Sequence, residues 1–187
     1  MPPSAKFTRE EIIGAALAIV RREGMPALTA RALGAELASS ARPIFTVFKN
    51  MEEVQQAVLE SARAEYNVYI EKGLSEQLPF KGVGTQYIRF AIQESKLFRL
   101  LFMSEKNSEL ACILPLLDEN YQAILSSITD EYGVEVSEAE ALYRHMWIYT
   151  HGIAALCATG TCRFTEDEIS SMLTEVFTSL LDKIKRR

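Results

Sequence analysis

The sequence predicts an all-α fold of about nine helices. Apolar residues recur at spacings of three and four along almost the whole chain, Ser, Thr or Asn precedes most of these runs, and Gly or Pro separates them. No stretch alternates apolar and polar residues between hairpin turns, so nothing reads as a sheet.

Taken in order, Thr8 caps a first helix in which Ile12, Ile13, Ala16, Leu17 and Val20 share a face. Glu10 and Glu11 lie in its first turn, where the helix dipole favours acids, and Gly24 follows its end. Thr29 caps a helix of two turns with Leu33 and Leu37 inward, and Ala38 to Ser40 turn the chain. Ser40 is expected to cap a second short helix completed by Ile44, Phe45 and Phe48, since Pro43 is tolerated in a first turn that has no intrahelical partner for its N–H groups. Asn50 caps a long helix from Glu52 to about Gln77, with Val54, Val58, Leu59, Ala62, Tyr66 and Tyr69 along its apolar side. Pro79 restarts the chain, Gly82 and Gly84 weaken the next helix at its beginning, and Tyr87, Ile88, Ala91 and Ile92 continue it. Lys96 to Met103 is short and aromatic, and a further helix runs from Pro115 to about Glu131, stopped by Gly133. Ser137 caps the next, through Tyr143, Trp147 and Ile153 toward Gly160. Thr165 caps the last, whose stripe is Ile169, Leu173, Val176, Leu180 and Ile184.

With 48% hydrophobic and 24% charged residues in a chain of 187, the composition excludes disorder and supports a packed core. No apolar run approaches the ~20 residues that cross a bilayer, so no membrane association is expected. The start, Met-Pro-Pro-Ser-Ala-Lys, has no secretory core, which points to the cytoplasm. Cys112, Cys157 and Cys162 form no metal-type pair and are expected as reduced, mostly buried thiols. The net charge of −5 is uneven: residues 1 to 50 carry seven Lys/Arg against four acids, or +3, which leaves −8 for the rest. A basic head on an acidic body suits a polyanion-binding module joined to a domain with another task.

Two short helices joined by a turn and preceded by a supporting helix form the minimal helix-turn-helix. The run from Leu28-Thr29-Ala30-Arg31 through Ser40-Ala41-Arg42-Pro43-Ile44-Phe45 to Phe48-Lys49-Asn50-Met51 resembles the DNA-binding head of TetR/AcrR-type transcriptional regulators. Trp147, His151 and Gly152 resemble the Trp-His-Gly signature of one class of C-terminal domain in that family. The resemblance implies residues 1–50 as a helix-turn-helix DNA-binding domain and 51–187 as a helical ligand-binding and dimerisation domain. It also implies a repressor that binds double-stranded operator DNA as a homodimer through its last two helices and is released by a small-molecule inducer.

On the matching positions, Arg31 and Arg42 are suited to guanine edges or phosphate, and Thr29 and Ser40 to phosphate oxygens. Ala41 and Pro43 offer apolar contact, and Lys49 reaches backbone phosphate. Phe45 stands where the family usually has Tyr, and Met51 where it usually has Lys, so two phosphate anchors are missing and Lys49, Lys6 and Arg9 carry more of the binding. Phe48 reads as core, while Phe45 fits either the core or the DNA face.

In the middle helices Tyr87, Phe90, Phe98, Phe102, Tyr121, Tyr143, Trp147 and His151 are candidates to enclose an apolar ligand, although aromatics at helical spacing also serve simply as core. His145 and His151, six apart, point away from each other and make no metal pair. Neither cofactor nor metal is expected. No nucleophile elbow or phosphate loop is present, Gly82-Val83-Gly84 lacking the third glycine, so catalysis is not expected. The alternative function is a helical interaction protein whose degenerate head no longer binds DNA.

Overall fold

The computed structural model describes residues 6–103 and 119–186. Among these residues there are eight α-helices and two 3-10 turns, and no strand. The helices are α1 (Arg9–Glu23), α2 (Ala30–Glu36), α3 (Met51–Leu74), α4 (Pro79–Gln93), α5 (Ser95–Phe102), α6 (Tyr121–Tyr132), α7 (Val136–Ala158) and α8 (Glu166–Lys185). The expected start of a helix at Pro115 lies outside the described residues, as does Cys112.

Most ends are set by local chemistry. The Thr8 hydroxyl accepts from the Glu11 N–H at 3.1 Å while the Glu11 carboxylate accepts from the Thr8 N–H at 2.8 Å, a reciprocal box that Thr165 and Glu168 repeat at the start of α8. The Asn50 side chain accepts from the Glu53 N–H at 2.9 Å. At the other ends, Gly24, Gly133 and Gly160 hold positive φ. Two expected caps move. α7 starts after Glu135, whose N–H donates to Glu138 at 3.0 Å, so Ser137 lies inside the first turn instead of capping it. α3 ends at Leu74, short of Gln77.

The second short helix of the head is not formed as expected. α2 stops in a Schellman turn: Ser39 N–H reaches the Gly34 carbonyl at 2.8 Å and Ala38 N–H the Ala35 carbonyl at 3.0 Å, with Ala38 at φ +48°. Ser40 caps nothing, and the chain makes one 3-10 turn, Ile44–Thr46, entered through Pro43 without a side-chain cap. Length alone does not decide this, since α2 is itself only seven residues long. The burial of Ile44 and Phe48 fixes the turn instead. Gly34 permits this geometry, because a Cβ there would lie 3.0 Å from the backbone at Ser40 and Ala41.

The contacts divide the chain into two compact units. The first comprises the described residues of Met1–Glu65 and Lys96–Ser104, the second those of Tyr66–Ser95 and Glu105–Arg187. α3 is continuous through the division after Glu65, and α5 belongs with the first unit. The first unit is built on Ile12, Ile19, Leu33, Ile44, Phe48 and Val58, with Leu97 and Phe98 from α5, all at most 2% exposed. In the second, α4 packs mainly on α7, which also meets α6 and α8. The end of α3 crosses the start of α4 glycine on glycine: a Cβ on Gly73 would lie 2.6 Å from the Val83 nitrogen, and one on Gly82 would strike the Gly73 carbonyl. No described helix is long and apolar enough to cross a membrane.

Candidate functional site

Two places in the chain hold groups that folding leaves unused. The first is α2 and the turn that follows it. Thr29, Arg31, Ser40, Arg42, Phe45 and Lys49 are exposed, and Ala41 and Pro43 half-buried, so all eight residues expected at a DNA face reach the surface. The alternatives for the two phenylalanines separate: Phe48 is 1% exposed, with the Arg9 guanidinium 4.4 Å over its ring, whereas Phe45 is 44% exposed.

The cations of residues 6–50 fall into two groups. Arg9 pairs with Glu53, Arg21 with Glu65, and Arg22 with both Glu23 and Glu36, while Lys6 donates to the Ser39 hydroxyl at 3.0 Å. The Glu53 carboxylate also accepts the Lys49 N–H at 2.8 Å, and that bond, with Arg9 beside it, holds the carboxyl below the usual range. Among the described residues, the side chains of Arg31 and Arg42 have no acidic or hydrogen-bonding partner, while the Lys49 ammonium makes no hydrogen bond or ion pair but its charge acts on Glu53. The Thr29 hydroxyl accepts from the Ala32 N–H, which leaves its O–H free to donate outward.

The second place is a cavity of about 280 Å³ inside the second unit. Its wall is largely aromatic: Phe80 meets Tyr143 and Phe177 at centroid distances of 6.4 and 5.8 Å, and Tyr132 meets Phe177 at 4.8 Å. Trp147 adds a further face and is backed by His151, stacked at 4.8 Å and 13°. The Tyr87 hydroxyl and His151 Nδ1 lie 2.9 Å apart. Burial lowers the pKa of this imidazole, which favours the neutral ring that can share one hydrogen with the phenol. Burial, and then Glu131, raise the pKa of the Tyr132 phenol, so it stays protonated. Met146, Leu173 and the 6% exposed Thr150 complete the interior, and Lys81 contributes a charge.

Residues 80–183 match the profile of a family described as tetracyclin repressor-like, C-terminal domain, which covers more than half of the chain. The chain belongs to the tetracyclin repressor-like regulators. No curated protein matches the sequence. Its fold is similar to that of a glutamine-to-alanine variant of TetR from Acinetobacter baumannii AYE, crystallised in complex with minocycline, with a TM-score of 0.57 over 97% of this chain and 98% of that one. The identity of 16% makes this a likeness of fold.

Within that family fold, the residues expected to enclose a ligand divide. Tyr87, Tyr143 and Trp147 line the cavity. Phe90 and Phe98 are fully buried, Phe98 and Phe102 face each other in the first unit at 5.2 Å, and Tyr121 packs on Tyr143 at 5.4 Å. His151 acts through Trp147 and Tyr87 rather than at the wall. Phe80, another of the aromatics of the middle helices, lines the cavity too, and Tyr132, Thr150 and Phe177 line it without having been singled out, since only the packing of α4, α6, α7 and α8 brings them together. His145 is exposed, and the described residues hold no cluster suited to a metal. Cys157 and Cys162 are free and half-buried, more open than expected.

Proposed function

We propose that this regulator is a repressor that binds a palindromic DNA operator as a homodimer and is released by a small molecule held in the cavity of its second unit. The observation that carries the reading is the separation of the head's cations. Arg9, Arg21 and Arg22 are engaged in ion pairs, whereas Arg31 at the start of α2, and Arg42 and Lys49 on either side of the Ile44–Thr46 turn, form none. Unpaired cations with a projecting Thr29 hydroxyl form the kind of surface that exchanges counterions for phosphates. Arg31 and Arg42 are the groups able to bond guanine twice, Thr29, Ser40 and Lys49 contact the backbone, and Ala41, Pro43 and Phe45 give apolar contact.

Dimerisation through α7 and α8 is supported by apolar residues left outside the core. Ile148 and Leu156, 60% and 39% exposed, flank Gly152 on one face of α7, and Val176, Leu180 and Ile184 on α8 are half-buried. Two copies joined there would present two turns to half-sites about one helical repeat of DNA apart, or a multiple of it. A ligand relieves repression by binding one arrangement of the dimer more tightly than the other.

The test is binding of the purified protein to DNA flanking its own gene, in a salt series with unrelated DNA as competitor. Saturable, competitor-resistant binding is expected, and Arg31→Ala with Arg42→Ala should remove the sequence preference and flatten the salt dependence by about one unit of slope per lost phosphate contact. A folded protein that ignores DNA at low salt, or a double variant that binds like the parent, would turn the reading toward a head that contacts protein instead.

A further inference from the structure

The cavity has a charge pattern of its own. Among the described residues, Lys81 is the one charged residue lining it and pairs with no acid, and the Glu131 carboxylate acts on the Tyr132 phenol of the wall. Lys81 lies in the first turn of α4, a helix that starts at Pro79, which lacks an N–H, and whose N-cap Leu78 supplies no side-chain bond. Leu78, Phe80 and Lys81 all border the cavity, so the first turn of α4, which carries Lys81, forms part of its rim.

A second polar group lies one turn further in. Gly84, three residues after Lys81, shares its face of α4. The Thr150 Oγ1 stands 3.8 Å from where a Cβ on Gly84 would be. Thr85, Thr159, Thr174 and Thr178 each donate to a backbone carbonyl of the preceding turn, but Thr150, 6% exposed, has no hydrogen-bond partner among the described residues. The Thr150 oxygen is not sealed from solvent, so this hydroxyl opens onto the cavity and is available to a ligand atom.

We infer that the cavity selects a small monoanion with an apolar, ring-sized body. Its carboxylate or equivalent head sits at Lys81 and the start of α4, a hydrogen-bonding atom near that head meets Thr150, and its body lies against Phe80, Tyr143, Trp147 and Phe177. This rests on the reading of the cavity as the ligand site. The volume, near the lower end of the ~300–1,000 Å³ usual for ligand pockets, suits one or two rings. Lys81 disfavours a cation, and the aromatic wall offers too few partners for a sugar or polyol.

Trp147, the sole tryptophan, reports occupancy through its fluorescence. The full-length protein is titrated with 4-cyclohexylbutanoate, its neutral amide and the corresponding ammonium, none of which absorbs with tryptophan. The carboxylate is expected to bind about tenfold more tightly than the amide, and the ammonium most weakly. Lys81→Gln, at an exposed position, should erase the preference, and Thr150→Val should weaken acid and amide alike by about fivefold. Equal binding of acid and amide, preference for the ammonium, or a preference that survives Lys81→Gln overturns the charge assignment and leaves the ligand site standing. No response to any of the three by the folded protein overturns the ligand site itself.

Discussion

The two units use their leftovers in opposite ways. In the first, the core and the ion pairs of Arg9, Arg21 and Arg22 absorb much of what the sequence supplies, and what remains includes charge on the surface, with Arg31 on α2 and Arg42 and Lys49 beside the turn that follows it. In the second, what remains is volume in the interior, about 280 Å³ walled by aromatic rings, with the Thr150 and Tyr132 hydroxyls making no hydrogen bond among the described residues. The candidate function of each unit lies in what its fold does not consume, so substitutions that consume it and substitutions that break the fold should separate cleanly.

The largest effects test the fold side. Phe48→Ala removes a ring 1% exposed and should destabilise the first unit by about 3–5 kcal/mol, a large share of an ordinary domain's stability. Phe45→Tyr, three residues earlier and 44% exposed, should leave denaturant unfolding within about 0.5 kcal/mol of the parent. It should also tighten operator binding roughly fivefold by restoring a hydroxyl donor to phosphate. Equal loss of stability in Phe48→Ala and Phe45→Tyr would mean that both rings are core and that the exposed turn is misassigned.

The second unit offers a matched pair two residues apart. In Gly82→Ala the new methyl meets the Gly73 carbonyl and, at 3.0 Å, the Glu76 Cβ, and backbone cannot yield as a side chain can, so a loss of about 3 kcal/mol is expected. In Gly84→Ala the methyl meets Leu173 at 3.5 Å and Thr150 at 3.8 Å, ordinary contacts, and the helix gains propensity. A gain of about 1 kcal/mol should raise the melting temperature by about 2–4 °C. The same methyl occupies part of the cavity, so the stabler protein should bind the cyclohexyl acid less well. If Gly84→Ala melts higher and binds unchanged, the cavity side of the comparison fails.

Helix existence was legible because the deciding signals are local. Thr8, Thr29, Asn50 and Thr165 cap from their own neighbourhoods, and Gly24 and Gly133 stop helices by their own conformations. The segment after α2 was legible as exposed at Arg42 and as core at Phe48, but not in its form. Pro43 and Ser40 fit an α-helix start on propensity, while the close approach at Gly34 and the burial of Ile44 and Phe48 impose a 3-10 turn from outside the segment. The cavity was least legible. Phe90 and Phe80 lie on the same helix, yet Phe90 is 0% exposed against Tyr66 and Tyr69 of α3 while Phe80 faces the void beside Tyr143 of α7 and Phe177 of α8, partners far along the chain.

The smallest effect probes the junction on which the head's exposed turn depends. Ala38 holds φ +48°, where an L residue is strained by about 1–2 kcal/mol, and the Schellman bonds from Ala38 and Ser39 keep it there. Ala38→Gly removes that strain but adds about 0.4–1 kcal/mol of unfolded-state entropy, so a net gain of about 0.5 kcal/mol is expected in denaturant unfolding. DNA affinity should not change, because the turn's direction is held by Gly34, Ile44 and Phe48 rather than by the Ala38 side chain. A drop in affinity with unchanged stability would show instead that the strained residue itself aims Arg42 and Phe45, and would move the head's function from its leftover charges to its backbone.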